Sequence, residues 1–387
     1  MANRTIELLF ALIRSAVGGE PINSNEKALY SAEILPKLIK VSQKHDLAHL
    51  VVLGLKQNGL LSPEDIDKER FIIKAVYRLE KIKRETENLK TVLKDLKTPF
   101  ILLKGAVLRG FYPEEWMRTS CDIDVLIHNS DLENVLSHFI NELNFTLNER
   151  TTHDVSLTSS AGVHVEFHYD LLVEGNANNA HIVLQNVWDN VKKEENNEYS
   201  YKMSDEFFYF YHIAHMAKHF GNGGCGIRPF IDLWLLDRVN TENQNNRNEL
   251  LKKAGLLKFA LAARNLSEFW FSKREADEVT LEMQRFILLG GVYGTTDNRV
   301  AINQKKKGGK FGYLFSRIFA SYDTLRRYYP ILEKHKWLMP FMQVRRWFMI
   351  FRPDVAEMAK KEIQVNSTLD NTRSEDMKSF LDNIGLQ

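Results

Sequence analysis

Apolar residues recur at three- and four-residue spacing from Ile6 through Ile13, across Ala28–Val41 and from Ile66 to Leu96. That is the period of helices that bury one face, so the chain up to residue 97 reads as helical. Thr98-Pro99 ends the pattern, because proline lacks an amide hydrogen and pushes the residue before it out of helical geometry. Phe100–Leu103 is then an unbroken apolar run of strand length. Cys121–Ile127 alternates aspartate with apolar residues, and Asn129 and Ser130 after it can cap a helix running to Leu143. Two further strands are expected at 152–157 and Gly162–Leu171, joined by a turn through Ser159-Ser160-Ala161-Gly162. The polar stretch 192–200 suits a surface linker, after which the helical period returns, and 360–387 is polar enough to fray. The pattern predicts an α+β fold, a small mixed β-sheet flanked by N-terminal and C-terminal helical regions, divided as 1–97, 98–195 and 196–387.

Composition narrows the class. The chain has 387 residues, a length for two or three domains or one core with large additions, and its 44% hydrophobic and 26% charged residues are ordinary usage for a folded, water-soluble protein. Fifty-two Lys and Arg against 50 Asp and Glu leave a charge of +2, too small to make nucleic-acid binding a default, so an anion site has to be local. Cys121 and Cys225 have neither a disulfide framework nor zinc spacing, which points to a reducing compartment and a cytoplasmic location. The richest apolar window, Phe207–Phe220, is short and carries Lys218 and three histidines, so no membrane partner is expected. Glu7 and Arg14 break the apolar start, which reads as a helix and not as a signal peptide.

The chemistry concentrates in the sheet unit. A strand ends at Lys104-Gly105 and a helix pattern follows, which lets the backbone approach an anion and Lys104 add positive charge to phosphate oxygens; a packing turn is the plain alternative. Alternation places Asp122 and Asp124 on one strand face, about 7 Å apart, and sends Ile123, Val125 and Ile127 into the core. Two carboxylates on one face repel unless divalent cations bridge them, as Mg²⁺ does in concert with substrate phosphates. A solvated edge strand with outward aspartates is the competing reading. Glu166 likewise shares a strand face with His164 and His168, away from Val163, Val165 and Phe167.

The Lys-Gly turn, Tyr112-Pro113, Arg118 and the run Asp122-Ile123-Asp124-Val125-Leu126-Ile127 together resemble the uncharacterised nucleotidyltransferase family of the DNA polymerase β-like superfamily. That superfamily carries a glycine turn, an Asp-x-Asp or Asp-x-Glu on the next strand and a third carboxylate on a later one. Here Ala106 stands where its serine usually follows the glycine, Glu166 falls at the third carboxylate, and His212–Asp232 and Arg326–Arg346 look like the helical tail. The resemblance implies a nucleotidyltransferase core that moves a nucleoside monophosphate from an NTP such as ATP to a hydroxyl by two-metal catalysis with Mg²⁺ or Mn²⁺. It implies Asp122, Asp124 and Glu166 as catalytic residues and metal ligands, and Lys104, Gly105 and Arg118 as nucleotide ligands. Arg118 can equally form an ion pair with Asp122 or Glu115. His168 and His215 are candidates for an acceptor pocket, and the acceptor itself is left open between a small molecule, a protein side chain and an RNA end.

A rival reading rests on His212, His215 and His219, which line one helical face ahead of Asp232 and would make a metal-dependent phosphohydrolase if they bound a metal that activates water. A non-catalytic binding protein on the same fold is disfavoured by the presence of all three carboxylates. Gly221–Gly226 follows a helix and not a strand, so it reads as a connecting loop and not as a phosphate loop. Lys305–Lys310 with Arg326, Arg327, Arg345 and Arg346 is either a basic patch or a solvated surface.

Overall fold

The computed structural model describes residues 2–386 apart from 152, 172–176, 196, 240–243, 293, 330 and 370. The main helices ahead of the first strand are α1 (Ala2–Gly18), α2 (Leu35–Lys44), α3 (Ala48–Gln57) and α4 (Arg70–Asp95). Gly54 lets α3 cross α1 closely, since a Cβ at that position would stand 2.5 Å from the Leu12 carbonyl oxygen.

Seven strands follow: β1 (Phe100–Leu102), β2 (Asp122–Ile127), β3 (Thr146–Arg150), β4 (Asp154–Thr158), β5 (His164–His168), β6 (Val191–Lys193) and β7 (Ser200–Met203). They form one mixed sheet in the order β3-β4-β5-β2-β1-β7-β6. β2 runs parallel to β5 and β1 parallel to β7, while the other neighbours are antiparallel. The short α5 (Gly105–Leu108) leaves β1, and α6 (Leu132–Asn141) leaves β2. Beyond the sheet, α7 (Asp205–Gly221), α8 (Arg228–Val239) and α9 (Leu257–Phe271) complete its cover.

Strand alternation divides the interior in two. Ile123, Val125, Ile127, Val165 and Phe167 pack on one face with Ile82 and Leu89 of α4 and Val135 and Phe139 of α6. Ile101, Leu103 and Leu126 enter a larger core with α1, α3, α7, α8 and α9. Each large side chain so buried contributes about 1.5–3 kcal/mol, which holds helices against both faces and leaves polar side chains of β2 and β5 room only on the α7 side.

The α+β expectation holds, but the sheet is larger than the pattern predicts. The expected linker at 192–200 instead contributes to β6 and β7, and β3 is exposed along its whole length. The edge strands β3 and β6 and the short β7 beside β6 pair through backbone groups, so they need no apolar alternation and leave no periodic signal. Within the stretch expected to fray, 360–387, the described residues Phe380, Ile384 and Leu386 close onto the main core. The strand expected at 152–157 is β4, with residue 152 outside those described. The solvated edge-strand reading of the aspartates fails, since β2 lies between β1 and β5 and Asp124 is 3% exposed. No described helix is long and apolar enough to cross a membrane.

The N-terminal helices clamp the loop that leads into β2. Asp46 accepts from Arg78 at 3.1 Å, from Thr119 at 2.9 Å and from Arg228, and the His49 imidazole lies 2.9 Å from the Met117 carbonyl. Burial pushes the His49 pKa down to about 4. The unfolded chain therefore binds a proton that the folded one refuses between about pH 6.5 and pH 4, and stability falls as pH falls through that window. Each such imidazole has a limiting slope of about 1.4 kcal/mol per pH unit. His49→Gln is expected to lower the melting temperature at pH 7 but to flatten its decline between pH 7 and pH 5, as followed by circular dichroism.

Candidate active site

The parallel register of β2 and β5 sets Asp122 opposite His164, Asp124 opposite Glu166 and Leu126 opposite His168. β4 on the other side of β5 sets Ser156 opposite Glu166 and Asp154 opposite His168. Because side chains on neighbouring strands at paired positions share a face, the polar groups converge. His168 Nε2 lies 2.9 Å from Asp124 Oδ1 and 3.4 Å from Glu166 Oε2. Lys104 Nζ donates to the same Asp124 oxygen at 2.5 Å and stands 4.0 Å from Glu166 Oε2. Asp124, Glu166 and His168 each offer one ligand atom, and all three atoms lie within 4.8 Å of one another. Two carboxylate oxygens and one imidazole nitrogen fit a small divalent ion, the oxygens suiting Mg²⁺ and the nitrogen also admitting Mn²⁺. Behind His168, its Nδ1 is 3.9 Å from Asp154 Oδ2, beyond hydrogen-bond reach, and that oxygen lies 3.1 Å from His153 Nε2.

Electrostatics separates the two aspartates. Burial opposes ionisation of Asp124, but the Lys104 ammonium and the His168 hydrogen bond outweigh it and hold its carboxyl well below the usual range. Asp122 is half-buried, and burial followed by the Asp124 charge pushes its pKa up. Burial works against the charges of Lys104 and His168 too, yet Asp124 and Glu166 raise both above their ordinary values.

The turn after β1 differs in detail from the expected glycine turn. Lys104 carries the positive φ, +42°, a conformation most side chains avoid, and its ammonium bond to Asp124 holds it there. Gly105 is needed for space: a Cβ would lie 3.0 Å from the Ser120 Cβ. Buried Arg109 ties the two sides together, donating to the Gly105 carbonyl at 2.9 Å and to Ser120 Oγ at 3.0 Å.

Arg118 turns away from this cluster. Its Nε donates to Asp232 Oδ1 at 2.8 Å, its Nη1 to the Thr119 carbonyl at 2.7 Å, and Tyr112 donates to the same Asp232 oxygen at 2.8 Å. Its partner is therefore Asp232 of α8, neither Asp122 nor Glu115, and Glu115 instead takes Lys83 at 2.8 Å. Of the residues singled out by sequence, Lys104, Asp124, Glu166 and His168 meet, Asp122 and Gly105 border them, and Arg118 serves the loop.

Tyr211, Ala214, His215 and Lys218 of α7 face Lys104, His168 and His181 across a narrow cleft. His215 and His219 approach through their Nε2 atoms at 3.2 Å, one donating to the other; burial drives the His215 pKa well below its usual value and that of His219 down to about 4. His212 is separate, its Nε2 bonding the Pro229 carbonyl at 2.9 Å. The hydrolase ligand set thus does not assemble: among the described residues, the metal-ready group is Asp124, Glu166 and His168. Sequence reasoning missed two features. His168 stands among the ligands, which its i+2 relation to Glu166 signalled, and half-buried Lys218 projects into the cleft three residues after His215. Among the described residues Lys218 forms no hydrogen bond or ion pair, and burial and the Lys104 charge push its pKa down.

A family model described as uncharacterised nucleotidyltransferase matches residues 33–272, which span the whole sheet and α7 to α9. No curated protein matches the chain. The Arg118–Asp232 pair predicts a stability effect independent of any ligand. Asp232→Asn leaves a buried guanidinium without its countercharge and is expected to cost about 3–5 kcal/mol in urea unfolding.

Proposed function

The chain belongs to the uncharacterised nucleotidyltransferase family, and from that premise we propose that it moves a nucleoside monophosphate from an NTP to an acceptor hydroxyl in the cleft between β2, β5 and α7. The observation that carries the reading is the meeting of Asp124, Glu166 and His168 on one face, with Lys218 lining the cleft across from them. In this reading Asp124, Glu166 and His168 would hold one Mg²⁺, and Asp122 with Asp124 would hold a second. Bound there, the ions would neutralise phosphate charge and sharpen the acceptor oxygen as a nucleophile.

The chain's own groups do the rest. The acceptor oxygen forms a bond to the α-phosphorus as the bond from that phosphorus to the pyrophosphate oxygen breaks, and the acceptor's proton passes to a Glu166 carboxylate oxygen. Negative charge grows on the departing pyrophosphate, where a fixed cation is worth most in a site screened from water. Lys218 fills the place that the sequence assigned to Arg118, since Arg118 is consumed by Asp232 and Lys104 by Asp124. His168 belongs to the ligand set in this reading, so of the two histidines the sequence offered for an acceptor pocket His215 is the one left for the acceptor side of the cleft.

A thermal-shift panel of the four common NTPs with and without Mg²⁺ tests the reading, because a ligand bound only by the folded state raises the melting temperature, by about 2.7 kcal/mol of stability at a hundredfold excess over Kd. A Mg²⁺-dependent rise with at least one NTP is expected, and none with any would overturn the proposal. Asp122→Asn is the clean variant. Its charge is already disfavoured by burial and by Asp124, so the ligand-free melting temperature should hold while the Mg²⁺-dependent rise disappears. Lys218→Ala should weaken NTP binding roughly tenfold, the worth of one charge-assisted contact, and leave nucleoside monophosphate binding unchanged in calorimetry.

A further inference from the structure

Charge is distributed unevenly along this chain. Residues 305–352 hold twelve Lys and Arg against only Asp323 and Glu333, so the remainder carries 40 basic and 48 acidic residues. This basic segment lies outside the residues matched by the family model and contains α10 (Lys310–Ile318) and α11 (Met339–Phe348).

Its apolar residues face the wrong way for a core. Trp337, Phe341, Val344, Phe348 and Phe351 follow one another at spacings of four and three, a single helical stripe. A stripe of that kind is normally buried, yet these five are 69, 63, 45, 64 and 78% exposed. Phe311 of α10 is 82% exposed, and Phe315, Ile318 and Phe319 near it are exposed as well. The opposite side of α11 does pack, with Met339 and Met342 against Ala320, Leu325 and Leu332. Gln343 donates to the Ile318 carbonyl at 2.7 Å and Trp347 Nε1 to the same oxygen at 2.8 Å, so hydrogen bonds fix which face is turned outward. Lys334, Lys336, Arg345 and Arg352 are exposed beside the stripe.

Exposed aromatic and aliphatic side chains flanked by cations suit a partner that is anionic at its surface and apolar beneath. A nucleic acid offers phosphates and base faces, but it leaves Ile318 and Val344 without an apolar counterpart. An anionic bilayer surface supplies both parts, and an interfacial helix needs one apolar face and no membrane-spanning length. We propose that the α10–α11 face docks on lipid bilayers carrying anionic headgroups, with Trp337, Phe341, Phe348 and Phe351 seated at the headgroup boundary and Lys334, Lys336, Arg345 and Arg352 on the lipid phosphates. The proposal is independent of the transfer reaction.

Vesicle co-sedimentation of the full chain tests it, using phosphatidylcholine alone and phosphatidylcholine with roughly one-third phosphatidylglycerol, at about 0.15 M and about 0.5 M salt. Partition onto the anionic vesicles is expected, at least tenfold above the neutral ones, falling at the higher salt. The triple variants Trp337→Ser/Phe348→Ser/Phe351→Ser and Lys334→Glu/Lys336→Glu/Arg345→Glu change exposed side chains and should keep the wild-type melting temperature. Each should lose at least tenfold in partition. No partition by the wild type, or equal partition onto neutral vesicles, overturns the proposal. So does tighter binding of a single-stranded oligonucleotide than of anionic vesicles, or a light-scattering mass showing that the stripe is covered by a second copy of the chain.

Discussion

Parallel, in-register pairing of β2 with β5 is the constraint on which the site depends. It sets Asp124 opposite Glu166 and brings His168 within hydrogen-bonding reach of both. Strand side chains alternate, so a slip of one residue in either strand would drive Asp124 or Glu166 into the packed face and turn Val125 or Phe167 out to the cleft. The register is secured by that same face: Ile123, Val125, Ile127, Val165 and Phe167 are almost completely buried. The apolar half of each strand thus pins the polar half.

Cation placement follows from this geometry. Three basic side chains lie near the carboxylates, and each has a different fate. Lys104 is held in a left-handed turn with its ammonium on Asp124. Arg118 is withdrawn into a buried pair with Asp232, which fastens the β1–β2 loop to α8. Lys218 comes from α7, on the opposite wall, and among the described residues makes no ion pair in the cleft. A buried pair such as Arg118–Asp232 contributes modest net stability but is costly to break, so it suits a loop whose position has to be reproducible. His49 and Asp46 of the N-terminal region grip the same loop from the other side, which gives the helices before the sheet a direct part in positioning β2.

The chain combines two surfaces of different character. The family-matched part, 33–272, surrounds a recessed acidic cluster, whereas the basic 305–352 segment presents aromatic side chains outward. The near-zero net charge conceals this division, because an acidic body and a basic segment offset one another in the sum. Average composition therefore argues against an anionic partner that local composition favours.

Much of the core was legible in the residues. Period-two alternation in Cys121–Ile127 and around Glu166 assigned the carboxylates to one face, and the family resemblance set the three of them in one fold. Helical spacing gave α1, α4 and α7 for the same reason: a buried stripe or face imposes its period on the sequence. The partners of Arg118, the short strands β6 and β7 and the place of Lys218 in the cleft left no such trace. Asp232 lies 114 positions from Arg118, and only the docking of α8 on the loop brings them together. Short strands at or next to a sheet edge are held by backbone bonds that any sequence can make, and whether a lysine is paired depends on what the fold carries to it. Periodicity records which side of an element is buried, whereas the identity of the neighbour across a contact is decided by tertiary packing.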